Sequence, residues 1–498
     1  MVDQVAGDTE RTWQVEQKGI DWVTDSERHG LPRQLFWPWT AANVSFFTIS
    51  YGVFVVGLGL SWWQGVIAVL VGMALSYPVV GIVALAGTRG SAPTLVLSRA
   101  AFGFHGNKLP TLFVYLSLVG WETVSVALGA LATKGILVRI NPGLGTTPAL
   151  AVGFAITVAL SVVLGVYGYD AIMRVQKWIT LIVAVMTVVY VVLIVPKLNF
   201  ATPSHAGGFA LLLGGIALVV ANGIGWTTGG ADYSRYMPKT SSPKAVAVWT
   251  AIGGAGAPTL LMLLGILLTA GDPTLAGAAA DDPIGAFATL LPTWFLIPFL
   301  ITTVLSVVAG AVYNLYSSGL NLLALGVRVP RWVAVGIDGV LMTVGGIYLV
   351  FVAPSFFGPL QAFLIVIGVV IAGWSAIFVV DLFMYRSAGY RRAALYSATG
   401  GYGRVNWAGV LSLVVSIVVG WGLSTSSDPD LVHVMGFFMT TAAKNGALGA
   451  SNVGVVVAFL IGGVLYALLS RTPLGVSQPA AADGQEDAEQ GPSDLVRT

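Results

Sequence analysis

No cysteine occurs anywhere in the 498 residues. Disulfides, thiolate nucleophiles and cysteine-based metal sites are therefore excluded. Charge is also scarce: Asp, Glu, Lys and Arg make up 9% of the chain, against about 25% in soluble domains. So little charge cannot cover a water-soluble surface. The four histidines, His29, His105, His205 and His433, are scattered through expected loops and helix ends, and no metal or cofactor is expected. A net charge of +2 gives no reason to expect a nucleic-acid partner. The first 34 residues contain no apolar core of a cleavable signal peptide, so the first membrane helix is expected to direct insertion. The loop Gly87-Thr-Arg-Gly-Ser-Ala-Pro93 lacks the Gly-Lys-Ser/Thr ending of a phosphate-binding loop. No His–Glu–His set or nucleophile–base pair stands out either, so the chain does not read as an enzyme.

Apolar residues, by contrast, reach 56%, and glycine reaches 62 residues, as suits helices packed closely in lipid. A membrane-spanning helix needs about 20 mostly apolar residues. Twelve such runs are expected, at roughly 35–60, 64–86, 109–138, 147–168, 172–196, 207–229, 245–270, 292–325, 332–352, 357–384, 406–425 and 450–470. With the N-terminus inside, alternation of these runs puts 20 of the 24 Lys and Arg residues on that side. Only Lys134, Arg139, Lys197 and Lys444 fall outside. This is the bias of the positive-inside rule, and it predicts an inner (plasma) membrane protein with both termini cytoplasmic. The tail 472–498 is rich in Ala, Gln, Asp, Glu, Gly and Pro and is expected to be a disordered cytoplasmic segment.

Two runs look interrupted. The first holds Asn43, Ser45, Thr48, Ser50 and Gly52 in mid-membrane. The sixth ends in Asn222-Gly-Ile-Gly-Trp-Thr-Thr-Gly-Gly230, and each glycine inside a helix costs about 1 kcal/mol relative to alanine. The two occupy matching places in successive five-helix units, which is the pattern of an inverted-repeat transporter with its site at the broken helices. Close packing alone would also account for the glycines. The expected division is a cytoplasmic segment 1–34, a first five-helix repeat 35–196, a second 197–384, two further helices 385–471 and the tail.

Glu122 lies near the centre of the third run. A charged residue there costs roughly 2.5–3.5 kcal/mol on insertion scales, which points to solute binding or proton handling. A structural carboxyl is the alternative. Trp121 and Trp226 lie at about the same level and could stack on a planar ring or simply pack. In the eighth run Asn314 and Ser317 share a helical face, with Ser318 beside them. Such residues can bond the edge of a heterocycle or tie helices together. Asp338, inside the ninth run, can be structural or functional. Asp232 reads as a cap or ion-pair partner at the inner end of the sixth.

Taken together, several segments resemble one family, nucleobase:cation symporter-1 of the purine–cytosine permease type. They are Gly19-Ile-Asp-Trp-Val23, Glu27-Arg-His-Gly-Leu-Pro-Arg-Gln-Leu-Phe-Trp37, Ala41-Ala-Asn-Val-Ser45 and Gly57-Leu-Gly-Leu-Ser-Trp-Trp63. Further along come Ala92-Pro-Thr-Leu-Val-Leu-Ser-Arg-Ala-Ala-Phe-Gly103, Gly106-Asn107, Gly120-Trp-Glu-Thr123, Ala231-Asp-Tyr-Ser-Arg-Tyr236 and Tyr313-Asn-Leu-Tyr-Ser-Ser-Gly-Leu320. The resemblance implies an all-α membrane protein of about twelve helices, a LeuT-type 5+5 inverted repeat plus two C-terminal helices. It implies import of a nucleobase such as cytosine or a purine with a cation. Allantoin, hydantoin or a vitamin heterocycle such as pyridoxine is the alternative cargo, and a sensor or channel the non-transport one. Glu122 matches the polar residue of span three that bonds the heterocycle. The aromatic sandwich of the hydantoin carriers maps near Leu118 and Gly223, with Trp121 and Trp226 one turn away. Where sodium-coupled relatives carry adjacent hydroxyls in span eight, this chain has Val312-Tyr313. Oxygen ligands are what hold such a cation, so H+ is the expected coupling ion, carried by Glu122, with Na+ the alternative. Besides the small heterocycle and the bilayer, no protein partner is expected.

Overall fold

Hydrocarbon offers backbone N–H and C=O groups no partner, so each apolar run must satisfy them within itself, as a helix. In the computed structural model, which describes residues 20–166, 169–198, 206–272, 274–327, 329–426 and 433–476, all regular structure is helical. His205, Arg11, Lys18, Arg328, Arg497 and most of the two terminal segments lie outside these residues.

The chain begins its crossings with α1 (Phe36–Asn43) and α2 (Phe47–Gly57), followed by α3 (Trp62–Gly90), α4 (Lys108–Ile140), α5 (Thr146–Val166) and α6 (Tyr169–Ile194). Next come α7 (Phe209–Ile224), α8 (Pro243–Gly271), α9 (Thr293–Ala324), α10 (Arg331–Ile347) and α11 (Phe357–Tyr385). The last two are α12 (Trp407–Gly422) and α13 (Gly454–Leu469). Among the described residues nine helices are long and apolar enough to cross a bilayer, and the bent α1–α2 pair makes a tenth. The expectation of twelve exceeds that number because α12 and α13 have only 16 residues each. At 1.5 Å per residue they reach about 24 Å, short of the roughly 30 Å hydrocarbon core.

The two interruptions differ in kind. The segments Pro32–Asn43 and Phe47–Gly57 meet at 68°. The sixth run stays one span, but after α7 it tightens into a 3-10 turn, Gly225–Gly229, before resuming at Gly230–Ser234. Glycine also brings α2 and α8 together. A Cβ at Gly52 would run into the carbonyl of Met262, and one at Gly265 into that of Ile49. Outward faces are greasy instead of polar: Val188 is 63% exposed and Val192 64%, as a lipid-facing surface requires.

The connecting segments gather at two ends. At one, Asp25 pairs with Lys239 (3.0 Å) and Arg392 (3.5 Å). Nearby, Arg28 donates to the Thr88 carbonyl and Arg99 to that of Leu395. At the other, Lys134 pairs with Asp282 (2.5 Å) and Lys197 donates to the Leu290 carbonyl. Arg28, Lys239 and Arg392, all expected on one side, thus gather around Asp25.

Candidate substrate site

The α1–α2 bend is held by Asn43. Its Nδ2 donates to the Trp39 carbonyl (2.9 Å) and its Oδ1 accepts from Tyr77 Oη (2.7 Å). In the sixth span the 3-10 turn is pinned by Thr227, whose hydroxyl reaches the Ile224 carbonyl (2.6 Å) and Ser375 (2.7 Å). Between these two irregular stretches, α4 and α9, lies a cavity of about 190 Å³. That is smaller than the roughly 300–1,000 Å³ of pockets for drug-sized ligands, and suits a solute of one or two rings.

One side of this region is aromatic. Trp226 lies edge-on to Trp39 (6.2 Å) and tilted against Tyr313 (6.4 Å), and Tyr313 stacks on Tyr233 (6.1 Å, 18°). Trp121 packs edge-on to Phe363 (5.7 Å). Asn222, Asn314, Ser317 and Asn321 add amide and hydroxyl groups. Among the described residues Asp232 is the only charged side chain lining the cavity. Its Oδ1 accepts from the Thr94 backbone N–H (2.8 Å) and hydroxyl (2.7 Å). Oδ2 takes part in neither bond.

Of the residues singled out from the sequence, Asn43, Trp121, Trp226, Asn314 and Ser317 line the cavity. Glu122, Gly223 and Ser318 do not. Gly223 faces α3, where a Cβ would strike the Ser76 hydroxyl. Glu122 and Ser318 are both 0% exposed and turn away from the cavity toward α10. Ser318 Oγ lies 2.8 Å from Glu122 Oε1 and 2.8 Å from Asp338 Oδ2. Tyr115 Oη donates to Asp338 Oδ1 (2.5 Å). Asn43 reaches the cavity wall with both polar atoms already engaged. Asp232, expected as a cap or ion-pair partner at the end of its own span, instead accepts both of its hydrogen bonds from Thr94, on the segment between α3 and α4. Among the described residues no group of three His, Cys, Asp or Glu side chains could hold a metal ion.

Residues 22–472 match the family described as permease for cytosine/purines, uracil, thiamine, allantoin. The chain belongs to this family. It is accordingly a membrane permease, a secondary transporter of a small nucleobase-like solute, and not an enzyme. YxlA of Bacillus subtilis (strain 168) is 26% identical over 475 residues, covering 92% of this chain and 97% of that protein. Purine-cytosine permease FCY2 of Saccharomyces cerevisiae is 24% identical over 394 residues, 74% of this chain and 71% of that one. A structure of Mhp1, a nucleobase-cation-symport-1 family transporter, closed with bromovinylhydantoin bound, superposes with a TM-score of 0.70 at 18% identity, covering 93% of this chain and 97% of that one. A Na+-coupled sialic acid symporter matches with a TM-score of 0.63 at 15% identity, over 96% and 98% of the two chains. These likenesses establish an all-α multi-pass membrane fold of the Mhp1 and LeuT type.

Proposed function

We propose that the protein imports a nucleobase such as cytosine or a purine across the plasma membrane in symport with a cation, the cation being a proton. The observation that carries this reading is the cavity between the bend of the first span and the 3-10 turn of the sixth. It combines an aromatic wall, amides and hydroxyls with one carboxylate. A planar ring would lie against Trp226 and Trp121. Asn314 and Ser317 would meet its polar edge, and Asp232 Oδ2 would accept from a ring N–H or exocyclic amine. Asn43 and Gly223 support the two irregular stretches, and Glu122 and Ser318 lie behind the wall as the proton-handling pair. An amine-bearing base is favoured over uracil because the acceptor is a carboxylate. The family also includes permeases for allantoin and thiamine, so a ureide, a hydantoin or a vitamin heterocycle such as pyridoxine is the competing cargo.

The same reading has α12 and α13 cross the membrane as the eleventh and twelfth helices beyond two five-helix repeats, with both termini cytoplasmic. The end where Asp25, Lys239 and Arg392 meet would then be the cytoplasmic one. The test is a thermal-shift screen of purified protein against nucleobases, hydantoins and vitamins, followed by uptake of each hit. Stabilisation by cytosine, adenine or guanine, and their accumulation, is expected. Stabilisation by allantoin or pyridoxine alone would replace the proposed cargo.

A further inference from the structure

The Glu122–Ser318–Asp338 bridge raises a counting problem. A serine hydroxyl has one hydrogen, and an ionised carboxylate only accepts. Ser318 Oγ nevertheless sits 2.8 Å from an oxygen of each carboxyl, and 3.3 Å from the Leu315 carbonyl as well. Its single hydrogen can serve one of the two carboxyls. The other short contact is a hydrogen bond only if that carboxyl carries a proton and donates it.

The surroundings decide which carboxyl that is. Asp338 Oδ1 already accepts from Tyr115 at 2.5 Å, so Asp338 with Tyr115 and Ser318 both donating is well solvated as an anion. Glu122 has only the serine, and its Oε2 is buried without a partner. An unpartnered oxygen is far less costly on a neutral acid than on an anion. Among the described residues no basic side chain pairs with either carboxyl. Helix α5 has no ionisable residue, α9 contributes only Tyr313 and Tyr316, and α10 only Arg331 at its first position. On α4 itself Lys108 and Arg139 lie in the first and last turns and Lys134 is held by Asp282, and on α11 Asp381 is held by Arg386. Two ionised carboxylates separated by one hydroxyl would repel each other in a medium of low polarity.

We infer that Glu122 and Asp338 share one proton through Ser318, that it resides on Glu122 with Asp338 as its fixed anionic partner, and that it is the proton carried with the solute. The inference rests on the symport reading above. On release the Glu122 O–H bond breaks, the proton passes to water on the inner side of the membrane, and the electron pair stays on the carboxylate. That leaves two buried anions competing for one serine hydrogen, a state relieved only by reloading. The bridge is also placed to sense the solute. Trp121 and Ser317, the residues immediately before Glu122 and Ser318, both line the cavity, so a ring seated there presses on the same turns of α4 and α9. Asp338 is a positioning residue in this scheme: it touches the proton's carrier through Ser318 and never the solute.

The test has two arms. Infrared spectra of the purified protein at neutral pH should show the carbonyl band of a neutral carboxylic acid. The band should vanish in Glu122→Gln and change frequency in Ser318→Ala. Absence of the band, or its loss in Asp338→Asn with retention in Glu122→Gln, would overturn the assignment. In proteoliposomes an inward solute gradient should drive proton influx in wild type. Asp338→Asn and Ser318→Ala should lose that influx while solute counterflow persists. Influx unchanged in both variants would overturn the inference with the symport reading intact. If no heterocycle is transported at all, the symport reading itself has failed, and the carried-proton claim fails with it. Should Asp338→Asn not fold, Ser318→Ala, which removes only a hydroxyl, decides both arms.

Discussion

Replacing Asp232 by asparagine isolates one oxygen of the cavity. The backbone N–H and hydroxyl of Thr94 both point at Oδ1, and the amide oxygen of asparagine can accept both bonds, so the local turn should survive. The other position changes from a carboxylate oxygen to an NH2 group, which cannot accept from a solute N–H. Hydrogen bonds to a charged group contribute about 1.5–3 kcal/mol, against about 0.5–1.5 for neutral pairs. The expected loss is therefore about 1–1.5 kcal/mol, or roughly 5- to 13-fold in the Kd for cytosine. Equilibrium binding by calorimetry on detergent-solubilised protein reads it, with the thermal midpoint as a control for folding. Asp232→Ala should lose the same affinity and also lower the midpoint, since it leaves the Thr94 backbone N–H and hydroxyl without their acceptor. Wild-type affinity in a well-folded Asp232→Asn variant would refute the reasoning and leave Asn314 and Ser317 as the groups that bind the ring edge.

Trp226→Ala should weaken binding by roughly 2- to 12-fold, the scale of an aromatic contact, and Trp226→Phe should recover much of it; an unchanged Kd in both would remove Trp226 from the site. Uptake should persist without sodium and collapse with a protonophore, and strict sodium dependence at constant membrane potential would contradict the role given to Val312-Tyr313. Gly52→Val should cost about 1–3 kcal/mol as overpacking, because the new side chain meets the Met262 carbonyl; a thermal midpoint equal to wild type would show that α2 and α8 can separate there. In a chain without cysteine, Ala278→Cys should react with an impermeant maleimide added to intact cells and Thr399→Cys should not. Position 278 is chosen because it is exposed, whereas the neighbouring Leu275 is buried. The reverse labelling pattern would invert the orientation.

Much of this architecture could be read in the residues themselves. Each helix from α3 to α11 overlaps an apolar run, because the need to bury twenty residues in hydrocarbon leaves a strong signal in composition. The first bend falls at Asn43, where polar side chains interrupt such a run. The glycines of 223–230 marked the sixth span correctly as irregular, yet not how: glycine lowers helical preference without stating whether the backbone kinks or, as here, tightens into a 3-10 turn. Glu122 stood out because a carboxyl in mid-membrane is costly. Its partner did not, since Asp338 is far away in sequence and meets it only through Ser318 on a third helix. The direction of Glu122, away from the cavity, is equally tertiary. One turn of helix separates Leu118 and Ser125, which line the cavity, from a residue that does not. Asp232 shows the same limit: its acceptor bonds run to Thr94, far away in sequence, and its place in the cavity wall depends on the packing of separate spans.

The central claim is that this permease drives a nucleobase inward with protons. The most direct measurement is uptake of labelled cytosine, adenine and guanine by sodium-free proteoliposomes holding an imposed pH gradient, acid outside. Accumulation of at least one base above its external concentration, abolished when the gradient is dissipated, is the predicted result. Uptake that only equilibrates, or that concentrates solute only when a sodium gradient is supplied, would contradict it.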